Sequence, residues 1–194
     1  MPNEYGTYHI ADNPNLYEPA RSNNFELVVT GLDDLLQAGV DENTATESDY
    51  ILNGQETIRV SVLSSSVPHF ELDVIDVKRG NNTAHFAGVP TFSNTTLVVN
   101  DYMGARTKDV LMAWQGLAYD VRSEKVRLAS KYKKDCVLYE YTPDFDTVIR
   151  YWEIKGAWVS NITESEFSNE TNDKREVTAT IVYDMAIMHL PDDE

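Results

Sequence analysis

The segment Thr147-Val-Ile-Arg-Tyr-Trp-Glu-Ile-Lys-Gly-Ala-Trp-Val159 sets most of the predicted architecture, together with the segment Glu176-Val-Thr-Ala-Thr-Ile-Val-Tyr-Asp-Met-Ala-Ile-Met188. Both segments alternate apolar and polar side chains and are rich in β-branched and aromatic residues, which favours strands over helices. Arg150 and Gly156 interrupt the first pattern. Because two long strands need further partners, the segments predict a sheet-based domain. The residues expected on inward faces are Val148, Trp152, Ile154 and Trp158 in the first strand, and Val177, Ala179, Ile181, Tyr183 and Met185 in the second.

Shorter stretches with the same alternation precede these two segments. Two of them are joined by the turn-rich sequence Arg79-Gly-Asn-Asn82. We therefore expect a long hairpin between roughly Phe70 and Phe86, with a polar tip that projects well beyond the core. The predicted strands in these stretches are Asn24–Thr30, Thr57–Leu63, Glu71–Lys78, Ala84–Ala87, Thr95–Asn100 and Asp135–Tyr141.

One helix is predicted, at about residues 104–119. Its apolar residues recur at helical spacing and form a single stripe. Asp101 lies where an N-terminal capping residue is expected. A short helical turn at 33–37, ended by Gly39, is a weaker signal. The residues of the apolar stripe are Val110, Leu111, Trp114, Leu117 and Ala118.

Length and composition favour one domain covering residues 1–194. A 22.0 kDa chain with 42% hydrophobic residues can bury one core. Residues 1–22 contain three prolines, which indicates an extended arm. Residues 31–56 are acidic and poor in apolar groups, so we expect a surface insertion there. The sequence has no membrane-length apolar run and no secretion signal, which predicts maturation in the cytoplasm.

The charge of the chain is large and unevenly distributed. A formal net charge of −16 argues against nucleic-acid binding, because phosphates repel such a surface. Residues 1–56 contain many carboxylates and only one basic residue, Arg21. A later basic run is open to two interpretations: a solvated loop, or a surface that meets an acidic face of another copy. The run consists of Arg122, Lys125, Arg127, Lys131, Lys133 and Lys134.

No catalytic, metal or cofactor site is predicted. The four histidines are scattered, and the chain has no phosphate-binding loop and no nucleophile elbow. Cys136 lies in a predicted strand, so we expect a small buried residue rather than a reactive thiol. Carboxylate pairs such as Asp144 with Asp146, or Glu164 with Glu166, are weak evidence for a hydrolase. The acidic stretch 164–173 lacks the ligand spacing of a calcium-binding EF-hand.

Five short motifs, in a shared order and spacing, resemble the tail tube proteins of contractile-tailed phages of the T-even type. The resemblance runs from about Pro19 to Met188. Val159 stands where the family commonly has proline, and residues 31–56 replace a short hairpin. The motifs are Ala20-Arg-Ser-Asn-Asn-Phe25, Ala87-Gly-Val-Pro-Thr-Phe-Ser-Asn-Thr-Thr-Leu-Val-Val-Asn-Asp101, Ala113-Trp-Gln115, Tyr132-Lys-Lys134 and Glu153-Ile-Lys-Gly-Ala-Trp158.

The resemblance implies a structural virion protein without a cofactor. Its fold would be an antiparallel β-sandwich or barrel-like core with one flanking helix, an extended arm and a hairpin. Six copies would close into a ring, and rings would stack into the inner tube of a contractile tail, through which DNA is ejected into the host. The implied partners are other copies of the chain, the tail sheath protein, and the baseplate and tail terminator proteins. Double-stranded DNA would pass through without specific binding, and no membrane would be contacted. The protein would be assembled in the host cytoplasm.

The arm, the hairpin and the basic run are the natural elements for contacts between subunits. Three alternatives remain open. One is a tube protein of type VI secretion, the haemolysin-coregulated protein, or of a phage-tail-like particle. Another is a carbohydrate- or receptor-binding β-sandwich module, and the third is an acidic hydrolase. The predicted interface residues are Tyr17, Arg21, Arg79, Asn81, His85, Lys125, Arg127, Lys133 and Lys134.

Overall fold

The computed structural model describes residues 18–41, 53–167, 170 and 173–191. Within these residues the chain is mainly β and antiparallel, which confirms the predicted fold class. The strands are β1 (Phe25–Val29), β2 (Val62–Ser65), β3 (Phe70–Arg79), β4 (Asn82–Phe92), β5 (Thr95–Asn100), β6 (Tyr119–Asp120), β7 (Lys125–Val126), β8 (Lys134–Tyr141), β9 (Val148–Glu164), β10 (Glu176–Val182) and β11 (Met185–His189). The helices are α1 (Leu32–Asp41), α2 (Gly54–Ser61) and α3 (Thr107–Ala118), with a 3₁₀ turn at Ala129–Lys131.

One seven-stranded sheet, in the order β1-β8-β9-β10-β5-β2, forms the body of the molecule, and β11 also pairs with β9. The 17-residue strand β9 joins its two halves. Residues 148–157 of β9 pair with β8, and residues 151–155 pair with β11 on the other side. Residues 158–164 pair with β10. The first half-sheet is therefore β1-β8-β9-β11, and the second is β9-β10-β5-β2.

The two half-sheets pack face to face around one core. Residues from both halves line a single small internal space, and Trp114 of α3 completes its wall. This arrangement is sandwich-like, as predicted. The described strands do not close a barrel, because β1 and β2 lie at the two ends of the sheet and do not pair with each other. The lining residues are Leu27, Val29, Cys136 and Ile154 from the first half, and Ser65, Thr95, Leu97 and Ile181 from the second.

The inward face of β9 changes at Gly156. This glycine has φ +67°, and the pairing of β9 with β8 shifts next to it. Ile154 is buried before the irregularity, whereas Ala157 and Val159 are buried after it. The prediction that Trp158 shares the inward face is therefore wrong. A bulge adds a residue to one strand and reverses the alternation beyond it.

The C-terminal segment forms two strands rather than one. The chain leaves the second half-sheet after β10 and enters the first as β11, with a break around Asp184, whose N–H donates to the Lys155 carbonyl at 2.9 Å. The predicted inward residues from Val177 to Tyr183 are buried. Met185 is 41% exposed, so its predicted inward position is wrong. The break at Asp184 ends the alternation that the sequence pattern extended.

Helix α3 confirms the predicted helix. Its buried face contains Val110, Leu111, Trp114 and Leu117. The indole Nε1 of Trp114 donates to the Tyr132 carbonyl at 2.9 Å, which satisfies the polar atom of this buried ring. Asp101 acts in the predicted cap region, because its Oδ1 accepts the Lys108 N–H at 3.3 Å.

Residues 57–61 belong to helix α2, so the prediction of a strand at Thr57–Leu63 is wrong for most of that segment. In the helix, Ile58 and Ser61 face the core, three residues apart. The Ser61 hydroxyl lies 2.7 Å from the Thr107 hydroxyl of α3, which ties the two helices together. Only Val62 and Leu63 of the predicted strand are in β2.

Helix α1 begins inside the segment predicted as an acidic surface insertion. Leu32, Leu35 and Leu36 belong to the hydrophobic core, so this first part of 31–56 is not a surface element. The helix includes the short turn predicted at 33–37. Residues 42–52 lie outside the described residues, and the insertion as a whole remains a prediction.

Candidate assembly surfaces

The predicted hairpin is present and consists of β3 and β4, paired in a two-stranded sheet of their own. Gly80, with φ +62°, and Asn81 form its turn. All ten residues of β3 are exposed. Large apolar side chains along the hairpin are 50–70% exposed, and such clusters mark interaction surfaces. These side chains are Phe70, Leu72, Val74, Ile75, Phe86 and Val89.

The three predicted interface residues of the hairpin lie together near its tip. Arg79 is directly opposite Asn82, and Asn81 is in the turn. The His85 Nδ1 atom lies 2.6 Å from the Asp76 carboxylate, across the ladder. All three predicted residues are exposed, and His85 is already in contact with Asp76 of its own chain.

The loop that follows α3 forms a second exposed surface, which we call the basic ribbon (residues 119–128). Strands β6 and β7 pair within it. Val121, Val126 and Leu128 are 76–78% exposed, and the side chains of Arg122 and Lys125 are exposed beside them. The basic ribbon therefore combines apolar surface with three basic residues, and it also contains two acidic ones, Asp120 and the exposed Glu124.

The other predicted residues of the basic run are less accessible. Arg127 is half-buried. Lys133 is half-buried, and its ammonium donates to both oxygens of the Asp184 carboxylate, at 2.6 and 2.8 Å. Lys134 is half-buried in β8 next to Gly31. Much of the charge of Lys133 is thus neutralised within its own chain, which the sequence pattern could not indicate.

Of the two predicted arm residues, Arg21 lines a groove that sequence reasoning missed. Tyr17 is outside the described residues, whereas Arg21 is exposed and lies 3.8 Å from Glu18. The chain from Ala20 to Phe25 forms one wall of the groove, and residues 63–67 of the β2 region form the other. Leu138 and Trp152 contribute to its apolar lining. The groove lies between the β1 and β2 ends of the sheet. These segments are distant in sequence, so a local sequence pattern could not predict that they lie close together.

The residues that were considered for catalysis or metal binding are either buried or engaged in contacts within the chain. Cys136 is fully buried, and burial raises the pKa of its thiol to about 12, so it is protonated and unreactive at neutral pH. Hydrogen bonding from the Thr142 hydroxyl lowers the pKa of Asp144, which organises a turn. Glu164 forms ion pairs with Lys108 and Arg175.

Among the described residues, no group of three or more histidine, cysteine, aspartate or glutamate side chains is placed to bind a metal. None of the helices in the described part of the chain is long and apolar enough to cross a membrane.

Comparison with known proteins supports the resemblance stated above. No protein-family model matches the chain. Tail tube protein gp19 of Enterobacteria phage T4 is 27% identical over 124 residues, which cover 62% of this chain and 76% of gp19. The chain is homologous to this tail tube protein over the matched residues. The tail tube protein of Enterobacteria phage T6 matches this homologue with the same identity and coverage.

Solved structures share the fold of this tail tube homologue. A chain of the sheath–tube complex of an extracellular contractile injection system, PVC, superposes with a TM-score of 0.62 at 17% identity. A chain of the tube-terminating cap of the anti-feeding prophage superposes with a TM-score of 0.63, also at 17% identity. Each match covers 95% of this chain and 99% of the other. At this identity the likeness establishes the common fold.

Proposed function

We propose that the protein is the structural subunit of a contractile tail tube, and that it acts by self-assembly rather than by catalysis. The observation that supports this most directly is the exposed apolar hairpin on a homologue of tail tube proteins. A two-stranded hairpin is marginally stable alone in water, so its apolar side chains need cover from another molecule. Other copies of the same chain provide that cover in a tube.

Six copies close into a ring, and rings stack into a hollow tube. Both contacts are heterologous, since a patch on one copy meets a different patch on the next, and such contacts produce closed rings or continuing helical stacks. The end strands β1 and β2 each have one edge without a partner strand, and contacts between copies cover edges of this kind. The ring size follows from the tail tube resemblance.

The contact residues in this proposal are those predicted from the sequence, and the structure gives the accessibility of each except Tyr17, which lies outside the described residues. Arg79, Asn81 and His85 act through the hairpin tip. Lys125 and Arg127 act through the basic ribbon. Tyr17 and Arg21 act through the arm, and Lys133 and Lys134 contribute from the side of β8.

The proposed partners outside the tube are the sheath, baseplate and terminator proteins. Proteins of the same fold come from a sheath–tube complex, a sheath/tube terminator complex and a baseplate. Double-stranded DNA passes through the tube without specific binding, because a chain with net charge −16 repels phosphates. The protein is then part of the virion. A type VI tube, or a phage-tail-like particle that carries no DNA, is the nearest alternative.

A carbohydrate- or receptor-binding module is the second candidate, and one observation favours it. Five rings form a row along the outer side of the first half-sheet, with adjacent ring centroids 4.9–6.1 Å apart. Aromatic platforms of this kind bind sugars and protein side chains. Such a module would remain a monomer or a small oligomer. The rings are those of Phe145, Tyr141, Tyr139, Tyr151 and His189.

Electron microscopy of the purified full chain over a wide concentration range tests the proposal, with light scattering on the same samples. We expect rings or hollow tubes of uniform width, together with a steep rise in scattering above a critical concentration. Particles that remain monomeric up to the solubility limit would contradict the tube function and favour the binding module. Binding to a glycan array would then be the next measurement.

A further inference from the structure

The exposed apolar residues of the hairpin lie on two opposite faces. In an antiparallel ladder, residues directly opposite each other project to the same side. Phe70, Leu72 and Val74 share one face near the base of the hairpin, which we call the proximal patch. Ile75 and Val77 lie on the other face nearer the tip, with Phe86 opposite Ile75. These three residues form the distal patch.

The remaining part of each face has charged side chains, and Val89, which has no partner in the ladder, belongs to neither patch. Behind the proximal patch, the opposite face has Glu71 and Asp73. Behind the distal patch, the opposite face has the paired side chains of Asp76 and His85, followed by Lys78. Each face is therefore half apolar and half charged, and the apolar halves lie diagonally. A single flat partner surface could cover one patch only by burying the charges beside it without their water.

A backbone irregularity lies within the proximal patch, just before the change of face. The register shifts between Leu72 and Val74, and Gly88 lies opposite Asp73 at that point. A Cβ on Gly88 would lie 2.8 Å from the Asp73 carbonyl oxygen, so only glycine permits this close approach. Bulges increase the local twist of a ladder and redirect its side chains. The two patches face opposite sides because Val74 and Ile75 are adjacent in β3, and adjacent residues of a strand project to opposite faces.

We propose that the proximal and distal patches dock on two different copies of this chain, so that one hairpin links three subunits. This inference rests on the proposed tube function. The chain itself supplies a candidate matching surface, the basic ribbon, where Val121, Val126 and Leu128 are exposed in the same short segment as Arg122 and Lys125. The carboxylates next to both hairpin patches complement that charge. Neighbouring copies are therefore the occupants that fit both the apolar and the charged parts of the hairpin.

The proximal patch is continuous with the molecular body. The rings of Phe70 and Phe92 lie 5.8 Å apart, and Phe92 packs edge-on against the buried Tyr183 at 6.1 Å. The distal patch has no such continuation to the core, and it lies toward the free end of a ladder about 30 Å long, at roughly 3.4 Å per residue. A copy that covers the proximal patch lies against the body, whereas a copy that covers the distal patch is reached across a gap.

Two matched variants of the full chain test the inference. Leu72→Thr with Val74→Thr removes the proximal patch, and Ile75→Thr with Phe86→Thr removes the distal patch. Threonine keeps the strand preference of these exposed positions. Lys78→Thr is the control, since it changes the same hairpin outside both patches. Sedimentation velocity and electron microscopy measure the assembly state of each, and thermal unfolding checks that the body is intact.

We expect the control to form the same tubes as the unmodified chain and the two patch variants to stop at different oligomeric states. Arrest of both variants at one common state, or assembly of either one like the control, would overturn the two-copy arrangement. If a threonine variant unfolds early, the single changes Leu72→Gln and Phe86→Gln give the same comparison. Failure of the unmodified chain to assemble would instead count against the tube function itself, so the two failures are distinguishable.

Discussion

At the residue scale, Gly156 controls how the two half-sheets are joined. Its positive φ and the bulge beside it turn β9 so that its second half faces the core with the opposite set of side chains. A methyl group at this position would collide with the Asp184 carboxylate, which also anchors Lys133. The residue therefore combines a backbone requirement with a steric one, and both favour glycine.

We expect Gly156→Ala to lower the free energy of unfolding by about 1–3 kcal/mol, because alanine would be held at positive φ against a carboxylate. Urea denaturation measures this. Gly116→Ala is the control, since a Cβ on this α3 glycine would meet no atom within 4 Å, and the change should be neutral or stabilise by about 0.5–1 kcal/mol. Equal effects of the two changes on the unfolding free energy would show that neither the positive φ nor the Asp184 carboxylate requires glycine at position 156.

Glu164 should make stability depend on acid pH. The hydrogen bond from Lys108 (2.7 Å), with further help from Arg175, lowers the pKa of Glu164 below its ordinary value of 4.5. A carboxyl with a lowered folded-state pKa stabilises the protein above its unfolded-state pKa, and this contribution is lost as the pH falls through the folded value. We therefore expect the unfolding free energy to decrease as the pH falls below about 4.5.

Glu164→Gln should reduce that dependence, so the variant would lose less stability than the unmodified chain between about pH 6 and pH 3. Urea midpoints at several pH values provide the measurement. Glu166→Gln is the matched control, because Glu166 is exposed two residues further along the chain, just after β9 ends. An identical pH slope for Glu164→Gln and the unmodified chain would show that this ion pair is not linked to folding.

At the element scale, residues 57–63 fit both a strand and a helix, and the structure shows that most of them belong to helix α2. As a strand, Thr57–Leu63 would place Ile58, Val60 and Val62 on one face. As a helix, it buries Ile58 and leaves Val60 65% exposed. Ile58→Ala should cost about 2–5 kcal/mol of unfolding free energy, whereas Val60→Ala should stay within about 0.5 kcal/mol. Chemical denaturation distinguishes them, and a large cost for Val60→Ala would support the strand instead.

The elements that sequence reasoning predicted correctly are those with long, one-sided patterns. β10 alternates through Val177, Ala179 and Ile181, and α3 repeats its apolar residues over more than two turns, so each pattern has one interpretation. The segment 57–63 is too short to have one interpretation, because its apolar residues fit both the two-residue repeat of a strand and the three-residue spacing of a helix. The phase change at Gly156 and the break at Asp184 depend on tertiary contacts that no local pattern contains.

The candidate surfaces were predictable to different extents. The hairpin was predicted because a polar turn joins two strand patterns, and its exposure followed from its length. The ion pair of Lys133 and the groove between β1 and β2 were not predicted, because both depend on segments that are distant in sequence. Charge patterns in a chain do not show which charges are already paired in the fold.

At the scale of the whole molecule, assembly has to overcome repulsion between copies that each have a net charge of −16. Salt screens charges separated by more than a Debye length, which is about 10 Å at 0.1 M. The long-range repulsion between copies should therefore weaken with added salt, while buried apolar contacts remain. We expect the critical concentration for assembly to fall as sodium chloride is raised toward the physiological range, as light scattering can measure.

Reversing a charge on the basic ribbon separates local attraction from this general repulsion. Lys125→Glu and Lys174→Glu change the net charge equally, but only Lys125 lies in the basic ribbon, and both side chains are exposed. If the ribbon meets an acidic surface of a neighbouring copy, Lys125→Glu should raise the critical concentration several-fold more than Lys174→Glu, and the difference should shrink at high salt. Neither change should alter the unfolding of the monomer by more than about 0.5 kcal/mol, because both positions are on the surface. Equal shifts in critical concentration for the two variants would mean that the ribbon acts only through its share of the total charge, and the contact surface would then have to lie elsewhere on the molecule.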